Sequence, residues 1–173
     1  MAVLTTIPKN SDTGIGGLCY ALLANFGDVT VTVDASGYTT FADGDVSVGD
    51  AFTKVVFTKE TSNFTVNGTG TPTAGTTAYN QVLTMVFARN EALKRNMVKA
   101  MGKSELIAIV VDRNGSAWCL GNDSCNGLDM TSSTGTSGTG PSDLAGQTIV
   151  LSGNFKEPES AVSAEQLAII MPA

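Results

Sequence analysis

The chain has 173 residues, with 10 Lys and Arg against 16 Asp and Glu, no histidine and a formal net charge of −6. Histidine chemistry is excluded, and the acidic balance argues against a sequence-reading nucleic-acid binder, because neutralising phosphates takes clustered Lys and Arg. At 42% hydrophobic and 15% charged residues the composition is that of one folded domain rather than a disordered tail, and no run approaches the roughly 20 apolar residues of a membrane helix. Its 22 Thr, 14 Ser and 19 Gly suit pleated strands joined by tight turns.

Residues 1–27 show no long period and include Gly14, Gly16 and Gly17, which reads as an N-terminal arm. Met1 to Asn10 lacks a charged start and an apolar core of the secretory kind, so cytosolic synthesis is the expectation. Residues 28–173 read as one β-sandwich domain. Val29, Val31 and Val33 alternate with Thr30 and Thr32, the period-2 mark of a half-buried strand, and Tyr38 to Phe41 is its short partner after a turn. Asp43 and Gly44 mark another turn. Ala51 to Thr58 carries apolar side chains on both faces, which predicts a strand with two partly buried sides.

Asn67 to Thr77, with Gly68, Gly70, Pro72 and Gly75, is expected to be a long exposed loop, and Tyr79 to Ala88 resumes as strand. One stretch reads as helix: Asn90 as cap, Glu91 in the first turn, and Leu93, Met97, Ala100 and Met101 at three- and four-residue steps before Gly102. Arg89, Lys94, Arg95, Lys99 and Lys103 are assigned to its other face. Half of the basic residues thus fall within fifteen positions.

Leu106 to Val111 and Ala117 to Leu120 flank Asn114-Gly115, the signature of a two-residue hairpin turn. Leu128 to Met130 is a short strand, Thr131 to Ser142 a mobile Ser/Thr/Gly loop, and Gln147 to Phe155 a strand; Leu167 to Met171 is a last apolar segment. The total is seven to nine strands and one helix, an antiparallel β-sandwich or half-barrel with one flanking α-helix and mobile loops at 67–77 and 131–142.

No catalytic constellation is present, since neither a Ser-x-x-Lys nor a Gly-x-Ser-x-Gly pattern occurs, and no catalytic, cofactor-binding or metal-ligating residue is assigned. Cys119 and Cys125 flank a turn and could approach each other; without an export signal, two small apolar side chains is the simpler reading. Asn122 to Asp129 resembles a calcium loop only in its alternating oxygens and lacks the closing Glu. The basic helix residues admit two readings, a solvated face or a patch complementary to an acidic neighbour such as a second copy of the chain. Trp118 reads as a core or interface anchor. The candidate subunit interface is therefore Arg89, Lys94, Arg95, Lys99, Lys103 and Trp118.

From Phe52 to Glu159 the order of signals resembles the major tail tube proteins of long-tailed bacteriophages. The resemblance lies in the strand Phe52 to Thr58, the glycine-rich loop, the strand Tyr79 to Phe87, the single helix, the hairpin Ile107 to Gly121 with its Asp112-Arg113-Asn114-Gly115 turn, and the closing strand Thr148 to Pro158. It implies a structural, non-enzymatic virion protein without cofactors. Such a protein is made in the bacterial cytoplasm and assembles as six-membered rings that stack into a tube. The lumen then passes DNA and the tape-measure protein, with no membrane involved, while the loops 67–77 and 131–142 and the N-terminal arm reach the next ring. The first 27 residues and the Cys119 and Cys125 pair depart from the family pattern. They leave open a neck or tail-terminator ring protein of the same fold, and a capsid-decoration or glycan-binding β-sandwich module is the alternative from another class.

Overall fold

The computed structural model describes residues 14–41, 51–58, 60–71, 73 and 75–171. Among the described residues, eleven strands and two helices follow in chain order: β1 (Leu18–Asn25), β2 (Val31–Val33), β3 (Tyr38–Phe41), β4 (Thr53–Val56), β5 (Asn63–Thr71), β6 (Thr76–Ala88), α1 (Ala92–Met101), β7 (Leu106–Asp112), β8 (Ala117–Leu120), β9 (Asp129–Thr136), β10 (Gly146–Phe155), β11 (Ser160–Val162) and α2 (Ala164–Ile170). The fold is mainly β, as expected. Its strands form a seven-stranded sheet in the order β2-β3-β11-β8-β7-β1-β4 and a four-stranded sheet in the order β5-β6-β10-β9. Neighbours run antiparallel except β3 and β11, which are parallel.

The main core lies between the sheets. Leu83, Met85 and Phe87 of β6 and Ile149 and Leu151 of β10 meet Ala21 and Leu23 of β1, Ala108 and Val110 of β7 and Leu120 of β8. A second core covers the opposite face of the large sheet, where Leu22, Ile107, Ile109, Val111 and Cys119 pack with Phe41, Phe52 and Ile170 of α2. Strand β7 is therefore apolar on both sides, which accounts for the unbroken Leu106 to Val111 run. Burying side chains of this size stabilises by about 1.5–3 kcal/mol each.

Several expectations are corrected. Leu18–Asn25 is not arm but a strand between β7 and β4 in the large sheet. The arm reading can extend only to residues before it; Met1 to residue 13 and the turn at Asp43 and Gly44 lie outside the described residues. Asn67 to Thr77 is mostly paired strand: β5 runs to Thr71 and β6 starts at Thr76. Gly68 is tolerated there because a Cβ would come within 3.0 Å of the Tyr79 ring, which covers the glycine from the partner strand. Thr131 to Thr136 likewise belongs to β9, paired with β10 across a bulge, so only the remainder of the expected loop is irregular.

The Asn114-Gly115 hairpin is present but has three loop residues, since Asp112 N–H donates to Ser116 O and Gly115 takes φ +85°. The C-terminal apolar segment is a second helix, α2. Ser163 caps it, accepting from Gln166 N–H at 3.3 Å, and the Gln166 side chain in turn accepts from Phe41 N–H at 3.2 Å.

Candidate functional site

The four-stranded sheet has one face in the core and one face bare. Its inward residues are set by register: Leu83 stands between Phe64 and Leu151, and Gln81 beside Val66 and Gly153. The alternate residues point outward. Asn63, Thr65 and Asn67 of β5, Asn80, Val82 and Thr84 of β6, and Thr148, Val150, Ser152 and Asn154 of β10 make a surface of hydroxyl, amide and methyl groups. An asparagine row crosses it, with Asn67 opposite Asn80 and Asn80 Nδ2 donating to Asn154 Oδ1 at 3.0 Å. Ser152 donates to Thr131 Oγ1 at 3.3 Å. Asp129 is the one charged residue in the four strands.

The edges of this sheet are long. Strand β5 has nine residues and β9 has eight, and neither has a second strand partner among the described residues. Neither strand contains a lysine or proline; β5 presents a row of backbone N–H and C=O groups, and β9 does so beside α1, which touches it where Asn90 donates to Thr136 O and Gly102 approaches Met130. The large sheet ends otherwise, on β2 with three residues and β4 with four, the latter carrying Lys54 over the Tyr20 ring at 4.5 Å.

The predicted basic face of α1 is only partly assembled. Met97, Val98 and Met101 pack against the main core, so the helix is turned with Arg95 and Lys99 outward. Lys94 falls on the packed side, where its ammonium donates to Ala88 O at 2.6 Å and pairs with Glu91 at 3.5 Å. Its charge is spent on the helix start, and it leaves the exposed cluster. Leu93, expected in the core, is 78% exposed. Asn90 is not the cap: its amide donates to Thr136 O at 2.8 Å, while Glu91 occupies the cap position with no side-chain cap bond, so the first turn holds no acidic residue. Arg89 sits in the left-handed region at φ +66°, a conformation costing an L-residue about 1–2 kcal/mol. Arg89, Arg95, Lys99 and Lys103 make no ion pair among the described residues.

Trp118 lies on β8, half-buried against the main core, and does not join the helix cluster. The three cysteines are free thiols, Cys119 buried and Cys19 and Cys125 exposed. Burial pushes the Cys119 thiol up to about 12, opposed by its hydrogen bonds with Thr39 and Ser160. Asp143 is held below the usual carboxylate range by the backbone N–H groups of Gly140 and Thr139. The glycine-bearing segment before β1 is tied to the hairpin turn: Asn114 accepts from Ile15 N–H at 2.9 Å and donates to Ile15 O at 3.1 Å.

Sequence reasoning missed a cleft of about 470 Å³ lined by Asp34, Gly37, Asn122, Glu157, Pro158, Glu159 and Ser160. The Glu157-Pro158-Glu159 break was the available signal. No helix among the described residues is long and apolar enough to cross a membrane. No family model, curated protein or solved structure matches the chain.

Proposed function

We propose that the chain is a non-enzymatic structural protein whose copies close into rings by sheet extension, β5 of one subunit pairing with β9 of the next. The observation that carries this reading is the pair of long edges on one sheet, without a second strand partner among the described residues and with Asp129 as their one charge. Strand direction supports it. Four antiparallel strands place β5 and β9 in opposite senses, so joining them across subunits continues the alternation without a parallel step. A head-to-tail contact of this kind uses two different surfaces and either closes into a ring or runs on as a filament.

The resemblance to tail tube proteins gives the closure as six copies. Roughly 24 strands at a spacing of about 4.8 Å and a tilt of about 40° make a backbone barrel about 48 Å across, an open channel rather than a packed core. The bare polar face then lines the lumen. With one carboxylate and no cation in its four strands it offers phosphates nothing to bind, which suits a conduit that DNA and a tape-measure protein must slide through. Stacked rings make a bacteriophage tail tube; rings that stay single would make the protein a neck or tail-terminator component. A glycan-binding module has less support, because no aromatic side chain stands on the outer face of the small sheet among the described residues.

Size-exclusion chromatography followed by negative-stain imaging tests the proposal. Closed rings or tubes are the expected result, and monomers at every salt concentration would overturn it.

A further inference from the structure

We infer that rings of this chain stack through opposite charges, the outward face of α1 on one copy meeting the acidic cleft of a copy in the next ring. The inference rests on the ring reading above. In a sheet closed into a barrel, the strand ends become the two rims. One rim is the Gly146 end of β10, where Arg89 N–H donates to Ala145 O and α1 starts. The other is the Phe155 end, where the chain runs directly into Glu157, Pro158 and Glu159 of the cleft.

Ten residues of strand separate these rims by about 33 Å, and α1 runs back from the first rim along β9 only as far as Met130, which is opposite Leu151. Both sets are unsatisfied. Arg89, Arg95 and Lys99 have no ion pair among the described residues, and neither do Glu157 and Glu159. Asp34 adds a third carboxylate, its Oδ1 fixed by the N–H groups of Ser36 and Tyr38. Lys156 lines a neighbouring cleft together with Glu157. In a chain of net charge −6 a general cation excess cannot explain this concentration, and the acidic partner it fits is present on every copy.

The test is a charge swap read by imaging and sedimentation at about 0.1 M and about 1 M salt, where the screening length falls from about 10 Å to about 3 Å. Wild-type rings are expected to stack at the lower salt and to separate, still closed, at the higher. Reversing either side, in R95E/K99E or in E157K/E159K, should weaken stacking roughly tenfold or more while rings persist. The variant carrying all four substitutions should stack again, because each rim still meets its opposite. Should a reversal unfold the chain, R95Q/K99Q carries the test, with single rings expected to accumulate. Stacking in the two reversed variants that matches wild type, closed rings of the fourfold variant that fail to restack, or duplex DNA captured by Arg95 and Lys99 would each overturn the inference. Absence of rings in wild type would instead overturn the ring reading itself.

Discussion

The two sheets solve the edge problem in opposite ways. The large one is buried on both faces at its centre, where β7 has six consecutive buried residues, and it tapers to edge strands of three and four residues. The small one is buried on a single face and ends on strands of nine and eight residues that have no further strand partner among the described residues. One sheet is finished inside the molecule and the other is left open. On the ring reading proposed above, stability and assembly fall to different parts of one chain, which makes them separable by mutation.

The sharpest way to break this contrast is to blunt the open edge. Ser132→Lys with Thr134→Lys on β9 places charge on exposed positions that touch no core; ring formation is expected to be lost altogether, with a thermal midpoint near wild type because surface changes usually stay within about 0.5 kcal/mol. Intact rings in that variant would show that the edge is not the joint. Ile109→Ala in the finished sheet is the converse experiment. Ile109 is fully buried, so chemical denaturation should report a loss of about 2–5 kcal/mol, and rings should form from whatever fraction stays folded.

A smaller effect is expected where β10 begins. A Cβ on Gly146 would stand 2.0 Å from Phe87 O, a backbone atom that cannot swing aside, so Gly146→Ala should cost about 1–3 kcal/mol by the same denaturation measurement. Smallest is the thiol test of the second core. Cys19 and Cys125 should react quickly with a disulfide reagent at pH 8, and Cys119 only on unfolding. The sign of its pH dependence follows from the raised value. The unfolded thiol ionises near 9 and the folded one near 12, so its contribution to stability is complete below about 9 and is lost as pH rises through about 12.

Much of the finished sheet was legible in the sequence, because burial writes itself as aliphatic runs: Leu106 to Val111 and Ala117 to Leu120 became strands on either side of the Asn-Gly turn. The open sheet was harder to read. Its edge strands contain Gly68, Gly70 and Gly135, which look like loop residues in isolation and are strand residues once Tyr79, Thr77 and Gln147 lie across them. The β1 strand was hidden for a different reason: Ala21 and Ala24 are small enough to be buried without producing a strong periodic signal. Ser163 with Gln166 three residues on has the spacing of a helix start, and it is where α2 begins. At the candidate site the positions of the charges were readable but not their directions. Lys94 turned inward because Met97 and Met101 fixed the rotation of α1.

The most direct measurement is amide hydrogen exchange on the assembled protein against the dissociated subunit. The account predicts new protection in both Asn63–Thr71 and Asp129–Thr136 on assembly, and none in Val31–Val33 or Thr53–Val56. Equal exchange of β5 and β9 in the two states, or protection confined to β2 and β4, would contradict it.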